Sequence, residues 1–223
     1  MKVIVWIMVF SLSSVTLSAN AFFGSSSLST DPEDINKINP AALAVAMDAY
    51  QCAEKKGYIK NHLLTIIDFT LPSNEKRMWI IDPETHRSLY HLFVAHGVNS
   101  GAIIPTHFSN KMGSLESSLG AYLTAATYDG HHGYSLVLMG LERGVNDNAE
   151  RRHIIIHSAW YVNPGFIHEY DRLGRSWGCF ALDPKQTKEV INTLQGGSLV
   201  FAYAAQEQHD PNVQQCNLVL PPE

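Results

Sequence analysis

Seven runs rich in β-branched and aromatic residues constrain this chain more than any other feature. They are LLTIIDFT (63–70), RMWIID (77–82), SLYHLFVAHG (88–97), LGAYLTAATY (119–128), YSLVLMGL (134–141), HIIIHSAWYV (153–162) and SLVFAYA (198–204). Gly, Pro, Asn and Asp punctuate them, as expected of strands closed by turns. Strand follows strand with little helical pattern between, which disfavours a parallel doubly wound sheet, since each parallel crossover there needs a helix. The expected class is therefore mainly β, a sandwich or mixed sheet. Two helices are expected beside it. From Asn39 to Lys56, Pro40 takes a first-turn position, Leu43, Ala46, Met47 and Tyr50 recur at helical spacing, and Gly57 is the stop. The second runs from Pro184 to Leu194 and ends at Gly196-Gly197.

An apolar content of 45% over 223 residues is ample for a packed core and excludes a wholly disordered chain. A formal charge of −5, with no basic cluster larger than Arg151-Arg152, argues against a nucleic-acid partner and against a polybasic membrane anchor. Residues 1–21 read as a signal peptide: Lys2 is the positive n-region, Val3 to Leu17 the apolar stretch, and Ala19-Asn20-Ala21 the cleavage pattern. The stretch falls short of the roughly 20 apolar residues that a membrane span needs, so no transmembrane anchor is expected after cleavage. The protein is expected to be exported, to the periplasm or cell envelope, where disulfides form. The expected organisation is a signal peptide (1–21), a Ser-rich leader with the first helix (22–62), a β-rich domain (63–205) and a polar tail (206–223).

Cys179 lies in GRSWGCFALDP (174–184), after Gly178 rather than inside an apolar strand. Glycine there lets the backbone bend and a substrate approach, and the N–H groups of such a turn can converge on an oxyanion. An S-x-G-C string alone is modest support, because a free cysteine is more often a small core hydrophobe. A thiol nucleophile also needs a base to form its thiolate. His157, which ends the run Ile154-Ile155-Ile156, is the best candidate. Standing alone it would read as a hydrogen-bonded core histidine.

His157-Ser158 followed by Ser176-Trp177-Gly178-Cys179 resembles the H…(S/T)-H-G-C signature of the murein L,D-transpeptidase family. The likeness is closest to the subgroup described as murein L,D-transpeptidase catalytic-domain proteins. FSNKMGSLESSLGAYLT (108–124) and LMGLERGVNDNAERRHIIIHSAWYV (138–162) resemble further segments of that subgroup in the same order. The resemblance covers roughly residues 63–205. It implies an L,D-transpeptidase-like, mostly β catalytic domain whose cysteine attacks an L,D amide of a peptidoglycan stem peptide, without a cofactor. Carried over by position, Cys179 is the nucleophile and His157 the general base. Ser158 orients the imidazole through its backbone carbonyl, and Gly178 with Cys179 donates oxyanion N–H groups. Ser176 supports the turn, and Trp177 takes a substrate-facing position. The sequence departs from the family at Trp177, where many members carry His, at Ala181, where many carry Arg or Asn, and at Phe180, where the subgroup often has Pro.

The acceptor amine, on a stem peptide or on an acceptor protein at the cell envelope, is left open. Hydrolysis by the same cysteine, as an L,D-carboxypeptidase or endopeptidase, and a wall-binding domain with a degenerate site are left open too. Stem peptides carry carboxylates, so Arg172 and Arg175 are candidate anion contacts, with solvated surface charge the equal alternative. No metal ligand set is expected. His131-His132 read as part of a polar turn, and on a strand His153 and His157 would stand about 13 Å apart. Cys52 and Cys216 remain: pairing them leaves Cys179 free and resolves the odd cysteine count, against the alternative of two separate buried thiols.

Overall fold

The computed structural model describes residues 32–221; the expected signal peptide and most of the Ser-rich leader lie outside the described residues. All seven β-rich runs contain a strand: β1 (Leu64–Asp68), β2 (Met78–Asp82), β3 (Arg87–Leu92), β4 (Gly120–Gly130), β5 (Gly133–Gly140), β6 (Ile155–Ser158) and, last in the chain, β8 (Leu199–Tyr203). An eighth, β7 (Phe180–Leu182), follows the cysteine turn. They form one mixed sheet in the order β3-β2-β1-β8-β4-β5-β6-β7, antiparallel except for β1–β8 and β6–β7. The sheet curls until its edges meet. The chain beyond β3 bridges the far side, Ala95 to Ala181 and Gly97 to Ser176.

Both faces of the central strands are covered, which is why β1 and β8 are buried at every position, Thr65 and Asp68 of β1 included. Helix α1 (Pro40–Lys55) covers one face. Asn39 caps it by accepting from the Ala41 N–H, and Pro40 occupies the first turn. Its buried side chains are Ala42, Val45, Ala46, Ala49, Tyr50, Cys52 and Ala53, packed with Leu64, Ile66, Trp79, Leu199 and Phe201. The stripe is thus centred on small residues, while Leu43 and Met47 sit at its border. Alanines let the helix axis approach the sheet closely.

On the other face, α3 (Pro184–Leu194) packs Val190, Ile191 and Leu194 onto Met78, Ile80, Leu138, Ile156 and Phe180. It occupies the range expected of it, capped by Asp183 and stopped before Gly196 and Gly197, whose φ angles are 83° and 97°. A further helix, α2 (Pro164–Tyr170), crosses between β6 and β7. It carries no fully buried residue, so no amphipathic period marks it in the sequence.

After β8 the tail makes a 3-10 turn (Ala205–His209) and a short helix α4 (Pro211–Gln214), and returns to α1. There Cys216 and Cys52 form a disulfide, with Cα atoms 5.3 Å apart, and Cys179 stays free. The alternative of two separate buried thiols is set aside.

Candidate active site

His157 and Cys179 approach because β6 and β7 run parallel in the register Ile156 to Phe180 and His157 to Ala181. Cys179 stands two residues before Ala181, and side chains two apart share a face, so His157 and Cys179 are diagonal neighbours on one side of the sheet. The opposite side carries Ile156, Phe180 and Leu182 into the core. Thiol and imidazole open into one cavity of about 460 Å³, which Tyr128, Tyr161, Arg175 and Trp177 also line.

The cysteine turn is held from below by Ser176. Its hydroxyl accepts from the Gly178 N–H at 3.1 Å and donates to the Cys179 carbonyl at 2.7 Å. Gly178 has a φ of 120°, and a Cβ there would meet the Glu116 carbonyl oxygen at 2.7 Å. Only glycine fits this turn without displacing its neighbour. The Gly178 N–H, an oxyanion donor by the resemblance, here donates to the Ser176 hydroxyl. Two backbone donors act on the sulfur, the Ile155 N–H and Cys179's own.

A second brace comes from the seam between the sheet's edges. Ser176 N–H donates to the His96 carbonyl, and Val98 N–H to the Ser176 carbonyl. The His96 ring sits between the fully buried Arg77, whose guanidinium donates to Nδ1 at 2.7 Å, and the Gly101 carbonyl, 3.1 Å from Nε2. Burial first, and then the Arg77 charge, push the His96 pKa down to about 3, so it remains the neutral tautomer this network requires.

His157 is 2% exposed, and its Nδ1 lies 2.9 Å from the Ser158 carbonyl oxygen. That contact assigns the proton to Nδ1 and leaves Nε2 its lone pair. Burial pushes the ring's pKa down to about 4, opposed by the Ser158 carbonyl. The hairpin turn between β4 and β5 folds over this ring. His132 stacks on His157 with centroids 4.3 Å apart, and the Ser158 hydroxyl reaches the His132 carbonyl. His131-His132 therefore form the polar turn expected of them, and that turn roofs the site.

Cys179 donates its S–H to the His153 carbonyl at 3.3 Å. Desolvation raises its pKa, against the Ile155 N–H and the Arg152 guanidinium, which favour the thiolate. A neutral thiol and a neutral imidazole thus line the resting cavity. Alkylation by iodoacetamide, followed against pH, is expected to give an apparent thiol pKa above the ~8.5 of free cysteine. Because a lowered histidine pKa keeps the base neutral down to about pH 4, no loss of rate from base protonation is expected between pH 5 and 7. An inflection below pH 7 would instead mean a preformed thiolate–imidazolium pair.

Three sequence expectations are corrected or redistributed. The strand expected over 153–162 is confined to Ile155–Ser158, and His153 sits in a turn with a left-handed φ of 54°. The separation of about 13 Å along a strand does not apply, and His153 lines the same cavity as His157. Arg175 lines the cavity, with Nη1 donating to the Val98 and Gly101 carbonyls. Arg172 is not among the lining residues, and its guanidinium donates to the Leu173 carbonyl. Trp177 stands at the lip, 78% exposed.

Arg152 went unread in the sequence, where it is only half of a basic pair. In the structure its guanidinium is clamped by the Ser109 and Glu116 carbonyls and the Ser114 and Ser118 hydroxyls, and its charge acts on Cys179. Its partners lie 34 to 43 residues away, so no local spacing could reveal them.

A thiol and an oriented imidazole at one cleft is the pairing that nucleophilic thiol chemistry requires. A model of the L,D-transpeptidase catalytic domain matches residues 34–203, and the chain belongs to that family. Among solved structures, an L,D-transpeptidase from Mycobacterium smegmatis is 12% identical with a TM-score of 0.39, covering 64% of this chain and 59% of its own. One from Stackebrandtia nassauensis is 17% identical with a TM-score of 0.39, covering 77% and 74%. The helical cell shape determining protein Pgp2 of Campylobacter jejuni is 12% identical with a TM-score of 0.45, covering 80% and 61%. This chain thus spans about three-fifths of the length of the first of these relatives. A comparison with curated proteins finds no match.

Proposed function

We propose that the protein is a cysteine-dependent acyltransferase acting on peptidoglycan stem peptides in an exported compartment. The observation that carries this reading is one cavity lined by both the free thiol of Cys179 and the Ser158-oriented imidazole of His157. The family supplies the substrate class, and the disulfide between Cys52 and Cys216 fits an oxidising compartment.

In the first half-reaction the Cys179 proton passes to His157 Nε2 as the sulfur attacks the scissile carbonyl carbon. The Ser158 carbonyl stabilises the imidazolium through Nδ1–H, and the Cys179 N–H meets the tetrahedral oxyanion. Collapse breaks the C–N bond, and His157 returns the proton to the departing amine, leaving a thioester. An acceptor amine then attacks the thioester, gives its proton to His157 and restores the thiol. Arg175 at the cleft wall is placed to meet a stem-peptide carboxylate, and Trp177 offers an exposed apolar face at the lip. Hydrolysis, with water as the acceptor, is the second reading, favoured by how open that lip is.

Two measurements test this. Intact-mass analysis after exposure to a carbapenem, the compound class to which the imipenem bound in a structure of LdtMt1 belongs, is expected to add one adduct. Incubating disaccharide-tetrapeptides with an amine acceptor is expected to yield exchanged or cross-linked products. Shortened peptides alone would replace the transferase by a carboxypeptidase. No adduct and no turnover by folded protein would leave a wall-binding domain.

A further inference from the structure

Away from the cleft, three carboxylates meet where the tail packs against the end of β5. Glu142 follows that strand, Glu207 lies in the 3-10 turn and Asp210 caps α4. They are 0%, 8% and 4% exposed, and one carboxylate oxygen from each lies within 4.8 Å of the other two.

The cluster is built to point oxygens inward. Ala121 N–H donates to Glu142 Oε1, and Asn212 N–H donates to Asp210 Oδ1 at 2.8 Å, which fixes both carboxylates from outside. Their second oxygens, Glu142 Oε2 and Asp210 Oδ2, are buried and accept from no N–H or hydroxyl, so without a cation a shared proton is what joins them. A buried oxygen with neither partner costs more than an ordinary hydrogen bond returns. Gly120, at a φ of 86°, makes room for the arrangement, since a Cβ there would collide with the Glu142 carboxylate. Burial first, then the hydrogen bond to Asp210 and its charge, push the Glu142 carboxyl up to about 10, with Glu207 adding to the rise and the Ala121 N–H opposing it.

We propose that Glu142, Glu207 and Asp210 form a binding site for a Ca²⁺ ion that fastens the C-terminal tail to the sheet. Three carboxyl oxygen donors, anionic once a cation displaces the protons they share, with no nitrogen or sulfur, select a hard cation. Ca²⁺ accepts oxygens at about 2.3–2.6 Å in irregular geometry, so it bridges oxygens up to about 4.8 Å apart without rearrangement, and water completes its shell. Mg²⁺, with oxygens near 2.1 Å and a strict octahedron, fits such a site less well. The ion would take the place of the proton that Oε2 and Oδ2 share. It would also join the tail to the Leu141–Asn146 turn, where Val219 N–H already donates to the Leu141 carbonyl. The proposal is independent of the reading of the cleft.

The test uses purified protein stripped with EDTA, then titrated with CaCl₂ in a calorimeter and followed by thermal melting, with MgCl₂ as a second arm. One Ca²⁺ per chain and a melting temperature that climbs with Ca²⁺ concentration are expected. Glu142→Gln and Asp210→Asn are expected to weaken Ca²⁺ at least about tenfold, while melting in EDTA close to the unsubstituted protein, because each amide keeps the shape and one acceptor oxygen of the carboxyl it replaces. Glu207→Gln, at the most exposed of the three, is the reserve variant should the others fail to fold. No heat and no melting shift from the unsubstituted protein overturns the proposal and leaves a proton-sharing carboxyl cluster. So does Ca²⁺ binding that survives these substitutions unchanged, or a preference for Mg²⁺.

Discussion

Cys179→Ala is expected to lower turnover of tetrapeptide donors by at least about 10³-fold, because no other thiol is free to form the acyl-enzyme. The side chain is only half-buried and its S–H makes a single contact, to the His153 carbonyl, so melting temperature should change little. Cys179→Ser should fail almost as completely. A hydroxyl is far harder to deprotonate than a thiol, and a base whose pKa is pushed down to about 4 cannot compensate. His157→Gln removes the proton carrier while keeping a polar side chain near the Ser158 carbonyl, and a loss of about 10²–10⁴-fold is expected. The two losses should not add, since thiol and imidazole act as one unit, and the double variant should resemble the Cys179 variant alone. Product formation by mass spectrometry, alongside circular dichroism of each variant, makes the comparison. A folded Cys179→Ala protein retaining a tenth of the activity would exclude a thioester intermediate.

The sequence made the strands legible because their covered faces demand runs of apolar residues. Both helices flanking the sheet were legible through proline and capping signals, at Asn39-Pro40 and Asp183-Pro184. Strand β7 was hidden because three residues are too few to show a period, and α2 because its residues are nowhere fully buried. The His157–Cys179 pair was legible as residue types, but their adjacency comes from the parallel pairing of β6 with β7, which no local pattern encodes. Arg152 and the Glu142, Glu207 and Asp210 cluster share that cause. Each is assembled from segments far apart in the chain, and charged residues in polar segments read as solvated surface until folding buries them. The bond from the Gly178 N–H to the Ser176 hydroxyl was not legible either, since it depends on how the turn bends back on itself.

Replacing Cys52 and Cys216 together by serine is expected to cost about 2–5 kcal/mol, the upper end following from the length of loop the bond closes. Cys52 and Cys216 are 164 residues apart, so the cross-link spans nearly the whole folded chain and removes much of the freedom of the unfolded one. For a domain of this size the melting temperature should fall on the order of 10 °C. Part of the loss is returned. Cys216 holds a left-handed φ of 51°, a conformation costing a non-glycine residue roughly 1–2 kcal/mol, and without the bond the backbone can relax. The damage should be concentrated in the tail, whose apolar anchors are few: Val213 and Leu218 are buried against the α1 side of the sheet. Hydrogen exchange should therefore quicken first over residues 205–219 and only later in β1 and β8, both buried throughout. Peptide mapping under non-reducing conditions should recover Cys52 linked to Cys216 and a single alkylatable thiol at Cys179. If the serine double variant melts with the unsubstituted protein, the tail is held by its packing and not by the cross-link. The site at Cys179 should keep its alkylation pH profile in that variant, because none of the residues bracing His157 or the Ser176 turn belongs to the tail.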